Sequence, residues 1–222
     1  MYDWIDMNLR YKYMPLDTLL QEDCSSLKVY LYTGGLQVIK GLYEIVNTFS
    51  NHIVGDDKRL ILMGVNTMPQ DIGIKGRIKR FLSFLGYKSY SKKCFDIINA
   101  DKRIKCMPGT YYIKHLMEQV YCMVSYFKIP HANLALAEGI IEGTVSLAAS
   151  TEESIEYSYD GELAQLFEMN NQEDFKKKWL QIDDKYEELK EKIREKRYNI
   201  EFLFDTNRNA GILNDIYDKL LN

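Results

Sequence analysis

Short apolar runs alternate along this chain with stretches whose apolar residues recur every three or four positions. The first run, KVYLYT at 28–33, is rich in β-branched and aromatic residues and stops at Gly34 and Gly35, which reads as a buried strand ending in a turn. Behind it, LQVIKGLYEIVNTFSNHI sets Leu36, Ile39, Leu42, Tyr43, Val46 and Phe49 along one helical face. RLILMG ends at Gly64, and RIKCMPG, YCMVSYF and TVSLAAS repeat the theme with helical stretches between most of them. Strands without alternation are buried on both faces, and each parallel crossover needs a helix. The pattern predicts an α/β domain with a doubly wound, Rossmann-like parallel sheet.

Two regions depart from the repeat. Residues 66–103 make a connection longer than an ordinary crossover, with Ile74, Ile78, Phe81, Leu82 and Leu85 at helical spacing beside Lys75, Arg77, Lys79 and Arg80. Residues 74–93 therefore have the make-up of a peripheral helix on an anionic membrane surface, although such stretches are more often solvated surface helices. From Gln172 to Arg197, Phe175, Trp179, Ile182, Tyr186, Leu189 and Ile193 recur at three- and four-residue steps among many charges, which predicts one long amphipathic helix. Its aromatic members and the lack of a sustained heptad favour packing on the domain's own flank over a coiled coil.

Composition narrows the function classes. With 46 % apolar and 27 % charged residues the chain is neither disordered nor fibrous, and a net charge of −3 gives no general reason to bind nucleic acid. Cys24, Cys94, Cys106 and Cys122 are scattered, without the CxxC spacing of a metal knuckle or redox pair. The charged N-terminus lacks the apolar core of a signal peptide, and no apolar run reaches membrane-spanning length, so the cytoplasm, or the inner face of its membrane, is the expected location.

In doubly wound sheets ligands bind outside the carboxyl ends of the strands. The positions to inspect are thus Gly34, Gly35, Gly64, Pro108, Gly109 and the stretch from Phe127 to Asn133. Pro130 disfavours helix at Ile129, Asn133 can cap a helix start, and LALAEGIIEG supplies the helix. A helix N-terminus there suits phosphate, with the amides of Asn133 and Leu134 as donors. Glu138, about one turn further in, is placed either to accept hydrogen bonds from sugar hydroxyls or simply as a surface helix residue. Competing motifs are missing: GGLQVI after the first strand is not G-x-G-x-x-G, and neither a P-loop nor a G-x-S-x-G elbow occurs. The paired acids of a receiver domain are replaced by glycines.

Four segments, in order, resemble the C-terminal domain of two-domain GT-B glycosyltransferases, especially glycosyltransferase family four. GGLQVIKG supplies Gly34, Lys40 and Gly41 of the strand–turn–helix opening, and NLALAEGIIEGTVSLAA resembles the N-x-L-x-E-A-x-x-x-G-x-P-V pattern, with Glu138 as its second glutamate and Gly143 as its glycine. ESIEYSYDGELAQLFEMNNQEDF resembles the D-G-x-x-G-x-L-F turn, and WIDMNLRYKYMP looks like the interdomain linker. The resemblance divides the chain into a linker-like segment at 1–27 and a nucleotide-sugar-binding domain at 28–222. It implies a UDP- or GDP-sugar donor and no cofactor or metal. Gly34, Gly35, Lys40, Asn133 and Leu134 would then hold the donor diphosphate, Glu138 the ribose, with the base near Pro108 and Gly109.

The chain departs from the family pattern in three ways. Gly35 stands where a basic residue usually follows the turn glycine, and Pro130 stands where the first glutamate, which helps place the sugar, is expected. His131 beside that gap is a candidate sugar contact. No acceptor-binding domain precedes the linker-like segment, so the expectation is a donor-binding domain of a retaining glycosyltransferase that is truncated or depends on a separate acceptor-domain partner. The complete enzyme would transfer a glycosyl group to a polysaccharide, lipid or protein acceptor, and the isolated chain would have little activity because half of the reaction cleft is missing. The other reading is a non-catalytic Rossmann-like module that interacts with another transferase.

Overall fold

The computed structural model describes residues 15–65, 88–109 and 113–221. In chain order they form α1 (Leu16–Leu20), β1 (Lys28–Tyr32), α2 (Leu42–His52), β2 (Lys58–Met63), α3 (Tyr90–Ala100), β3 (Ile104–Met107), α4 (Ile113–Gln119) and β4 (Cys122–Val124). There follow α5 (Leu134–Ile141), β5 (Val145–Ser150), α6 (Glu152–Tyr157), β6 (Gln165–Glu168), α7 (Gln172–Leu180), α8 (Ile182–Leu203) and α9 (Thr206–Leu221). The six strands make one sheet in the order β3-β2-β1-β4-β5-β6, and every pairing is parallel. The doubly wound architecture read from the apolar runs is therefore the observed one.

Alternation along β1 explains how the sheet is covered. Tyr30 and Tyr32 point to one face, with Leu60 and Leu62 of β2, and meet α2, α3 and α7; Val29 and Leu31 point to the other, with Ile61 and Met63, and meet α1 and α4. Trp179 of α7 is fully enclosed, edge-on to Tyr30 at 5.4 Å and 6.1 Å from Phe49. At the amino end of the strands, Asp183 gathers the Lys28 ammonium at 2.6 Å and the Tyr121 hydroxyl at 2.8 Å.

Several local expectations are corrected. Helix α2 starts at Leu42: residues Val38–Lys40 form a single 3-10 turn, and Gly41 at φ +63° separates it from the α-helix, leaving Ile39 partly exposed. The periodic stretch from Gln172 is two helices that meet at Gln181, the second being the long one. Helix α8 packs on the domain's flank through Ile182, Leu189, Ile193 and Ile200, and Lys190 and Arg197 reach the carbonyls of Gly143 (2.6 Å) and Ile141 (3.1 Å) at the C-terminal end of α5. Strand β6 has no counterpart in the apolar pattern.

The linker-like residues 1–14 and most of the basic stretch 74–93 lie outside the described residues. Of the latter, Lys88 and Lys92 pair with Asp96, and Ser89 caps α3. Residues 15–27 belong to the packed body: Leu16 and Leu20 are buried, and Glu22 holds Arg59 through two hydrogen bonds of 2.8 and 2.6 Å. No helix among the described residues is long and apolar enough to cross a membrane.

Candidate functional site

The strand order reverses beside β1: the chain runs outward through β2 and β3, then returns to start β4 on the other side of β1. A parallel sheet leaves a crevice at such a point, because the loops after the two central strands diverge to opposite faces. A cleft of about 430 Å³ occupies it. Its walls are the ends of β1 (Tyr32, Thr33) and β2 (Met63, Gly64), the residues following β4, and the first turn of α5.

The structure brings seven of the nine sequence-predicted site residues to this cleft: Gly34, Lys40, Gly109, His131, Asn133, Leu134 and Glu138. Gly35 and Pro108 do not line it. Gly35 instead sits at φ +72° with its carbonyl turned to the Tyr32 hydroxyl, so its place in the turn is conformational.

The loop from Thr33 to Gly41 lies close on its neighbours. A Cβ on Gly34 would come within 2.2 Å of the Tyr32 hydroxyl, and one on Gly41 within 2.4 Å of the Tyr126 carbonyl oxygen. Only glycine allows either approach. The Ile39 carbonyl accepts the Lys128 amide at 2.9 Å, which ties the loop to the segment after β4. Lys40 thereby enters the cleft, and among the described residues its ammonium has no ion-pair or hydrogen-bond partner.

Across the cleft, Asn133 starts α5. Its Oδ1 accepts the Leu136 amide at 3.3 Å while its Nδ2 donates to the Ser125 hydroxyl at 2.9 Å. The amides of Leu134 and Ala135, in the first turn, have no acceptor within the helix and carry the positive end of its dipole. Glu138 follows one turn later; burial raises its carboxyl above the ordinary value, and the Lys114 ammonium opposes the rise. His131 is exposed at the rim with its ring 5.0 Å from that of Phe127. The cleft thus brings together the Lys40 cation, a helix N-terminus, a half-buried carboxyl and a glycine turn, chemistry of the kind that an anion joined to a polyhydroxyl group would need.

The pattern reading missed Tyr32, Ser125, Tyr126, Met63 and Met117, all of which line the cleft. Each reads as strand or core filling by type. Only their position at strand ends, or in Met117's case on the helix above, marks them.

No protein-family model matches the sequence, and no curated protein matches it. Solved structures do. Anabaena HepE, solved with UDP and glucose, superposes with a TM-score of 0.71 at 14 % identity over 91 % of this chain and 51 % of its own. A glycosyltransferase from Rickettsia africae ESF-5 gives 0.66 at 17 % identity over 89 % and 49 %, and sucrose-phosphate synthase from Thermosynechococcus elongatus gives 0.64 at 16 % over 94 % and 49 %. This chain spans about half the length of the structures it matches. Its fold is that of one half of the two-domain GT-B glycosyltransferase architecture.

Proposed function

We propose that the chain is the nucleotide-sugar donor-binding domain of a retaining glycosyltransferase similar to glycosyltransferase family four. One observation carries this reading: the glycine turn, Lys40, which has no partner among the described residues, the first turn of α5 and Glu138 all open into a single cleft at the sheet's reversal point. The diphosphate lies between the Gly34 turn and the amides of Leu134 and Ala135, with Lys40 beside it. Glu138 accepts hydrogen bonds from the ribose hydroxyls, and the base rests towards Gly109 and Met63.

When the glycosyl bond breaks, negative charge grows on the departing nucleoside diphosphate. A lysine and a helix end already aimed at that position stabilise it without rearrangement. His131, at the rim beside Pro130, which occupies the position of the family's first glutamate, is the candidate contact for the sugar. In the complete enzyme a second domain or subunit holds the acceptor, a polysaccharide, lipid or protein, and supplies the rest of the reaction cleft.

Calorimetric titration with UDP and GDP tests the reading. Wild-type chain should bind one of them, and Lys40→Ala and Glu138→Ala should each weaken it about tenfold, roughly 1.4 kcal/mol. Absence of any nucleotide binding overturns it and leaves the fold as an interaction module for another transferase.

A further inference from the structure

Tyr32 is the last residue of β1. The residue is only 2 % exposed and packs in the cluster under α2, yet it also borders the cleft. Its hydroxyl donates to the Gly35 carbonyl at 2.8 Å and lies 3.5 Å from the Lys40 carbonyl. A phenol has one proton, so the shorter contact takes it. The backbone at Gly34 is laid directly on the ring, since a Cβ there would meet the ring carbon Cζ at 2.3 Å.

The loop has two anchors at its far end, where Lys128 holds Ile39 and Tyr126 abuts Gly41. At its near end stand two consecutive glycines, the least restrained pair a chain can carry. The Tyr32 hydroxyl is the side-chain hydrogen bond that holds them. Burial pushes this phenol far above its ordinary range, so the hydroxyl keeps its proton at any physiological pH.

We propose that Tyr32 is a positioning residue for diphosphate recognition: its hydroxyl retains the Gly35 carbonyl, keeping that oxygen from facing the anion and holding the Gly34–Lys40 loop in its phosphate-accepting shape. The proposal rests on the donor-site reading above. A carbonyl freed from the phenol can turn its lone pairs towards the diphosphate, which repels it and lets the loop sample other shapes.

Tyr32→Phe removes one oxygen and keeps the ring under Gly34. Wild type and variant are titrated with UDP and GDP and, in parallel, with uridine and guanosine; amide exchange is followed at residues 34–41. The expected result is a diphosphate affinity 5- to 20-fold lower, on the order of a hydrogen-bond contribution, with nucleoside affinity within about twofold of wild type and faster exchange confined to the loop. A merely structural defect would lower both affinities together, and that outcome overturns the proposal, as does undiminished UDP or GDP binding by Tyr32→Phe. Failure of the wild-type chain to bind any nucleotide overturns the donor-site reading instead. Unchanged exchange at 34–41 refutes the loop restraint whatever the nucleotide does.

Discussion

The Asn133 carboxamide donates to the Ser125 hydroxyl across 2.9 Å, which ties the first turn of α5 to the segment leaving β4. The same side chain caps the helix by accepting the Leu136 amide. Replacing it with Asp keeps the cap but loses the donor and adds a negative charge beside the proposed anion position. Asn133→Asp should therefore retain most of the fold's stability and bind UDP or GDP more weakly than Asn133→Ser, while Asn133→Ala should lose about 1 kcal/mol of stability. Urea unfolding and titration of the three variants check this. Equal affinity of the Asp and Ser variants would remove the diphosphate from the start of α5.

Glu142, at the C-terminal end of α5, has its carboxyl raised to about 7 by burial and by the Glu118 carboxyl beside it, against the pull of Lys114 and Arg197. A carboxyl that holds its proton more tightly when folded favours the fold below its ordinary value near 4.5, and that contribution is lost as pH rises to about 7. Glu142→Gln should accordingly stabilise the chain at pH 8, by about 1 kcal/mol once solvent screening is allowed for, and have little effect at pH 4. A stability profile between those pH values that is no flatter than wild type would count against it.

Gly41 and Gly35 both have positive φ but differ in surroundings. A Cβ on Gly41 meets the Tyr126 carbonyl at 2.4 Å, whereas one on Gly35 meets nothing within 4 Å. Gly35→Ala should lose about 1 kcal/mol, the conformational term alone. Gly41→Ala should lose clearly more, roughly 2–3 kcal/mol, and should also disturb Lys40. Thermal melts with UDP and without it separate the two effects.

If Lys40 and the α5 N-terminus provide the positive charge, a chelator such as EDTA should leave UDP or GDP affinity unchanged. A drop of more than about tenfold, 1.4 kcal/mol, would show that a divalent cation shares the diphosphate.

The chain spans about half of the two-domain structures it resembles. Donor binding and turnover should therefore come apart: the isolated chain binds nucleotide but transfers sugar slowly, because the effective concentration of a positioned acceptor is absent. A transfer assay with candidate nucleotide sugars and acceptors measures this directly, and robust turnover by the purified chain refutes it.

Much of the architecture is legible in the residues because five of the six strands are short, mostly apolar runs, three of which lead into Gly34, Gly64 and Gly109, and parallel strands must be buried on both faces. Strand β6, QLFE, escaped because it is short and half polar at the sheet's edge. The break at Gln181 escaped because apolar spacing continues across it. The late start of α2 is visible only through Gly41, whose left-handed backbone no periodicity records. At the site, charged and glycine residues were legible by type, whereas Tyr32 reads as one more strand aromatic; its role depends on which atom its hydroxyl reaches.

The contacts of Lys190 and Arg197 with the far end of α5 bear on how this protein can be dissected. These two cations satisfy carbonyls that the helix leaves open, and Ile193 and Ile200 seal the seam around them. A fragment ending near Gln181 would keep every strand of the sheet but leave that seam open to water, and should be recovered as an aggregate. The shortest piece worth expressing runs through Leu203.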